Sequence, residues 1–279
     1  MGGPFARLRH VGLVIRPGNL SPRRRLLAAL AAVLVLGAGA AALVAGLLAG
    51  GAQPSGHPAQ DRLGPVLLVP GYGGATTSLA ELAASIRAAG RTAIVLHLPG
   101  NGTGSLVADA AVLNSAVSQA LDQGAPSVDV IGYSAGGVVA LIWAREDDGT
   151  AKARRVITLG SPFHGTRLAA GAVGFVPGAC PVACQQLVPG SSLLASLGVS
   201  DGAGLPPWLS VWTTDDQTVV PPDSAWLAGA IDLSVQSLCP AARLTHSQLP
   251  SSPIVTDIVL QALRPGPLRY PSALSCVSS

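Results

Sequence analysis

Ser134 stands in Gly132-Tyr133-Ser134-Ala135-Gly136, directly behind the run Val128-Asp129-Val130-Ile131 and ahead of Gly137-Val138-Val139-Ala140-Leu141-Ile142-Trp143. An apolar, β-branched run that ends in Gly-x-Ser-x-Gly and continues into a long apolar stretch reads as strand, sharp turn, helix. The flanking glycines let the backbone turn without Cβ clashes, so the serine is held in a strained position with its hydroxyl exposed at the top of a sheet. That is the geometry of a nucleophile, and the chemistry it would serve is attack on a carbonyl.

The pentapeptide is not unique in a chain with 34 glycines. A second match, Gly198-Val199-Ser200-Asp201-Gly202, follows the short helical stretch Ser192–Leu197 and runs into Ala203-Gly204-Leu205-Pro206-Pro207, which cannot start a helix. Context separates the two. Ser200 reads as a loop serine behind a helix C-cap glycine.

A serine hydroxyl needs a base to take its proton, and the base needs an acid to orient it. Of the five histidines, His164 and His246 follow Ser134. Only one short connection separates the strand before His164 from that of the nucleophile. His246 lies in the loop Leu244-Thr245-His246-Ser247-Gln248, ahead of the last helix, from where an imidazole can swing over a neighbouring strand end. The acid should fall between Ser134 and His246 in chain order. Asp147 and Asp148 read as a solvated helix terminus, Asp223 and Asp232 lie farther along, and Asp215 and Asp216 follow a strand-like segment. Adjacent side chains on an extended segment point in opposite directions, so only one of that pair should reach His246. The developing oxyanion needs donors. The backbone N–H of Ala135, at a helix N-terminus, is one candidate; the Tyr72 N–H, in the glycine-rich loop Pro70-Gly71-Tyr72-Gly73-Gly74, is the other.

Elements that could hold these groups alternate along the chain. Strands are predicted over 65–69, 92–98, 127–131, 154–159 and 208–213, with a sixth near 231–238. Helices are predicted over 77–89, 105–123, 134–145 and 251–263. The strands are apolar without alternation, as in a parallel sheet buried on both faces, and the β-α order gives an open α/β sheet with ligands beyond its carboxyl edge.

Ahead of this domain the charge is uneven. Residues 1–25 hold six arginines and no acid, so the remaining 11 basic residues (17 less six) face 14 acids, a balance near −3 against +3 for the whole chain. The basic excess belongs to the tail, which argues against nucleic acid as a partner. Leu26–Leu48 is a run of Ala, Leu, Val and Gly, long enough to span a bilayer as a helix. The expected organisation is a basic cytoplasmic segment (1–25), a transmembrane anchor or signal sequence (26–49), a linker (50–62) and one α/β domain (63–279), facing outside the cytoplasm or secreted after cleavage. Four cysteines agree with export. Cys180–Cys184 and Cys239–Cys276 are the expected pairs among three possible pairings. Beyond Cys180 and Cys184 no other Cys or His lies at metal-ligand spacing, so no metal is expected.

Val66-Leu67-Leu68-Val69-Pro70-Gly71-Tyr72-Gly73-Gly74, Gly132–Gly137, Asp216-Gln217-Thr218-Val219-Val220-Pro221 and His246 together resemble an α/β-hydrolase lipase, most closely the small secreted bacterial class 2 triacylglycerol lipases. Leu98–Gly104 and Leu159–Thr166 are also similar to that family. In it the acid typically precedes a Val by three positions and a Pro by five, which Asp216 matches with Val219 and Pro221 and Asp215 does not. The chain departs from the pattern at Pro70, where many relatives carry a histidine. The resemblance implies an α/β-hydrolase fold and hydrolysis of acylglycerols or related esters through a serine acyl-enzyme. It implies Ser134, Asp216 and His246 as the catalytic groups, no cofactor, and a lipid or small ester as partner of a monomer. A cell-envelope acyltransferase and a non-catalytic binding protein on the same fold are the alternatives.

Overall fold

Valine, isoleucine and leucine runs too apolar to face water on either side should pack between two helical layers, and they do in a computed structural model. It describes residues 56–175, 178, 180–272 and 276, together with residues 22 and 23. Most of the basic segment and all of the apolar run expected to be an anchor or signal lie outside the described residues. Among the described residues no helix is long and apolar enough to cross a membrane.

Six strands form one sheet: β1 (Val66–Val69), β2 (Ala93–Val95), β3 (Val128–Tyr133), β4 (Ala153–Leu159), β5 (Trp208–Trp212) and β6 (Ile231–Ser234). Their order is β2-β1-β3-β4-β5-β6, and every neighbouring pair is parallel. The helices are α1 (Thr77–Ala88), α2 (Leu106–Asp122), α3 (Ala135–Glu146), α4 (Gly149–Lys152), α5 (Arg167–Phe175), α6 (Val182–Gln186), α7 (Ser192–Ser196), α8 (Val235–Leu238) and α9 (Pro253–Ala262).

Successive strand residues feed opposite layers. In β1, Leu67 and Val69 join the core beneath α2 and α3, while Val66 and Leu68 join the core beneath α1 and α9. Helix α3 is buried from Ala135 to Ala144, which explains why its sequence shows no polar face.

The sixth strand is shorter than its sequence predicts. It stops at Ser234, whose hydroxyl accepts from the Ser237 N–H and caps α8 over residues expected to be strand.

Two disulfides are formed, Cys180–Cys184 and Cys239–Cys276. Gln60, which composition assigns to the linker, is tied into the domain: Arg154 Nη1 donates to its carbonyl at 3.1 Å and Arg155 Nη2 to its side-chain oxygen at 3.0 Å.

The strand order fixes where a site can lie. The chain leaves β1 toward β2 on one side and leaves β3 toward β4 on the other. Because β1 and β3 are neighbours, with Val69 opposite Gly132, the loop after β1 and the turn after β3 end side by side where the connections diverge. That divergence opens the crevice in which α/β sheets bind ligands.

Candidate active site

At the end of β3, Ser134 has φ 53° and ψ −124°, an uncommon conformation for a residue with a Cβ. The turn can be this sharp because Gly136 lies against β1: a Cβ there would come within 2.6 Å of the Pro70 carbonyl oxygen. The Ser134 N–H donates to the Leu159 carbonyl at 2.8 Å, pinning the turn to β4. The Ser134 hydroxyl makes no hydrogen bond among the described residues, and it lines an apolar cavity.

After β5 the chain enters the loop that carries both aspartates. Asp216 is buried. Its Oδ1 accepts from the N–H groups of Thr218 and Val219, each at 2.8 Å, and its Oδ2 accepts from His246 Nδ1 at 2.7 Å. A carboxylate only accepts, so Nδ1 carries the proton and Nε2 is left as the basic nitrogen. Asp215 makes no hydrogen bond to His246; its N–H donates to the Thr213 hydroxyl at 3.3 Å. Thr213 in turn donates to the Leu244 carbonyl at 2.8 Å, linking the Asp216 loop to the His246 loop.

His246 opens a 3-10 turn over His246–Gln248 that Thr245 and Gln248 cap reciprocally. Its ring lies 5.2 Å from that of Tyr133, the residue before the serine, and the Tyr133 hydroxyl donates to the His246 carbonyl at 3.3 Å. Burial, helped by the Asp216 charge, pushes the Tyr133 hydroxyl up to about 12, so it stays a donor at neutral pH. The imidazole reaches across the end of β4 because residue 160 is glycine: a Cβ there would lie 3.1 Å from His246 Nδ1. Nothing in the local sequence singled out Gly160.

Beside the serine, Gly71 and Gly74 close a turn in which the Gly74 N–H donates to the Gly71 carbonyl at 3.0 Å. A Cβ on Gly71 would lie 2.9 Å from Ser134 Cβ, so this loop touches the Ser134 turn. The Tyr72 N–H has no hydrogen-bond partner among the described residues. The Ala135 N–H belongs to the first turn of α3, where amides lack partners within the helix.

His164 is placed elsewhere. Its Nδ1 lies 3.2 Å from the Ser224 carbonyl and its ring packs 5.8 Å from that of Trp226. Asp147 forms the C-cap of α3 and Asp148 the N-cap of α4, while Asp223 is exposed. Ser200 sits behind α7 and a left-handed Gly198 with φ 58°. No group of His, Cys, Asp and Glu among the described residues could hold a metal ion.

A family model described as the alpha/beta hydrolase fold matches residues 64–178. No match was found among curated proteins. Among solved structures, lipase B of Aspergillus fumigatus superposes with a TM-score of 0.63 at 20% identity, over 77% of this chain and 56% of that one. Lipase BlEst2 of Bacillus licheniformis superposes with a TM-score of 0.61 at 16% identity, over 76% of this chain and 96% of its mature form. In its propeptide form the same lipase gives 0.61 at 16% identity, over 78% of this chain and 54% of that one. The chain therefore spans little more than half the length of the Aspergillus lipase and of the propeptide form of the Bacillus lipase. Sheet order, the sharp turn at Ser134 and the family match agree: the chain is an α/β hydrolase in fold.

Proposed function

We propose that this protein is a carboxylester hydrolase of lipase or esterase type, with Ser134 as nucleophile, His246 as general base and acid, and Asp216 as the orienting acid. The observation that carries the reading is the buried 2.7 Å bond from His246 Nδ1 to Asp216, on a ring packed against the residue before the serine. His246 Nε2 takes the Ser134 proton as Oγ attacks the ester carbonyl. The N–H groups of Tyr72 and Ala135 receive the developing oxyanion. Collapse expels the alcohol, protonated by His246, and leaves an acyl-serine that water hydrolyses by the same steps in reverse roles. The proton transfer from Ser134 requires His246 Nε2 within hydrogen-bond reach of Ser134 Oγ in the substrate complex. None of these steps calls for a metal or organic cofactor.

Lipid esters are the substrate class favoured by the apolar cavity at Ser134 and by the likeness in fold to two lipases. Two disulfides favour a working place outside the cytoplasm, whether tethered through residues 26–49 or secreted. The test is turnover of p-nitrophenyl butyrate by the wild type and by Ser134→Ala. The variant should lose at least about 10³-fold in kcat; full turnover would overturn the assignment.

A further inference from the structure

We infer that the cavity beside Ser134 is an acyl site sized for about six to ten carbons, so that medium-chain esters fill it and longer chains gain no further burial; this rests on the hydrolase reading above. The cavity measures about 260 Å³ and is lined, besides Ser134, by Ala169 and Ala172 of α5, by Cys180 and Cys184, and by Leu187. A cavity of about 150 Å³ holds the six carbons of benzene, or about 25 Å³ per carbon. By that measure 260 Å³ holds about ten carbons. A sixteen-carbon chain needs about 400 Å³, so its far end lies outside this cavity, which opens to solvent beside the exposed Tyr72 and Leu168.

Two features set this size. Ala169 and Ala172 are three apart on α5 and so share a face; their small side chains leave open the space that larger residues would fill. The facing wall is fixed. The Cys180–Cys184 bond closes α6 on itself, the Ala183 N–H donates to the Thr103 carbonyl at 3.2 Å, and Gln186 Oε1 accepts from the Leu106 N–H at 2.8 Å. Helix α6 is thus fastened to the start of α2 and to the loop before it. Leu187 and Cys180 are both buried.

The experiment is a kcat/KM series on p-nitrophenyl esters from acetate to palmitate, with Ala169→Leu and Leu187→Ala beside the wild type. Each methylene that enters the cavity should raise kcat/KM roughly fourfold. The wild type should rise to a maximum near decanoate, with palmitate no higher than decanoate. Ala169→Leu removes the room of about three carbons, and should lower the octanoate-to-butyrate ratio at least tenfold. Leu187→Ala enlarges the cavity and should raise the laurate-to-octanoate ratio at least fivefold, giving a second readout if Ala169→Leu fails to fold. A flat wild-type series, or one that peaks at palmitate, overturns the acyl-length assignment and leaves the hydrolase reading standing. A wild type that turns over no ester of any length overturns that reading and this one with it.

Discussion

His246 lies directly over Gly160, close enough that a β-carbon on residue 160 would come 3.1 Å from the imidazole Nδ1 and 2.7 Å from Leu249 Cδ1. Gly160 ends β4, has φ 58°, and donates its N–H to the Val211 carbonyl at 2.8 Å. The imidazole belongs to a loop beyond β6, and it crosses the ends of intervening strands only because this backbone carries no side chain.

Gly160→Ala should therefore push the imidazole off its bond to Asp216. A displacement of about 1 Å at a reacting group costs up to about 10²-fold. We expect kcat to fall roughly 10- to 100-fold with KM within about threefold. Steady-state kinetics with a melting curve checks this; a stable variant with unchanged kcat would remove Gly160 from the account.

Asp216 and Asp215 should separate sharply. Asp216→Asn keeps an oxygen for the Thr218 and Val219 amides but no longer holds the imidazole in the tautomer with a basic Nε2. The loss in kcat should be about 10³- to 10⁴-fold. Asp215 makes no hydrogen bond to His246, and Asp215→Asn should stay within about threefold of wild type. Comparable losses in both would contradict the assignment of Asp216.

How far each of these positions could be read from the chain depended on how local its physics is. Ser134 was legible because strand, turn and helix follow one another within 128–143, and the apolar β-branched run before it distinguishes it from Ser200. The choice of Asp216 over Asp215 needed the spacing to Val219 and Pro221, since two adjacent carboxylates look alike locally. Gly160 was not legible, because what demands a glycine there is a histidine far along the chain. The strand over 231–238 was read too long because its apolar content hid the Ser234 cap that starts α8.

The same distance hid the ionic cluster at the opposite edge of the sheet. Buried Asp129 accepts from Arg91 Nη2 at 2.7 Å and from Arg154 Nε at 2.9 Å and Nη2 at 2.5 Å. Arg154 also donates to the Leu263 and Arg264 carbonyls, and Arg155 donates to those of Ala262 and Gly266, where α9 leaves carbonyls without helical partners. Burial, reinforced by the charge of Arg154, brings the Arg155 guanidinium down to about 10. Asp129→Ala leaves Arg154 as an uncompensated buried charge and should destabilise the domain by about 3–5 kcal/mol. Urea unfolding checks this, and a loss below about 1 kcal/mol would mean that the arginines are satisfied by carbonyls alone.

A half-buried carboxylate should make stability pH-dependent. Burial pushes Asp232 up from 3.8 to about 7, opposed by its bond from the Leu227 N–H. Between about pH 4 and pH 7 the folded protein binds this proton more tightly than the unfolded chain. Stability from this group therefore falls as pH rises through that window, and the cost is complete above it. Asp232→Asn should melt with the wild type near pH 4 and above it at pH 8; a gap that does not grow with pH would refute the sign.

The most direct measurement of the central claim is covalent capture of the nucleophile. A fluorophosphonate probe reacts with a serine whose proton a neighbouring base removes. Peptide mapping by mass spectrometry should place the adduct on Ser134 alone, with labelling lost in Ser134→Ala and strongly slowed in His246→Ala. Failure of folded wild-type protein to label, or an adduct on Ser200, would contradict the account.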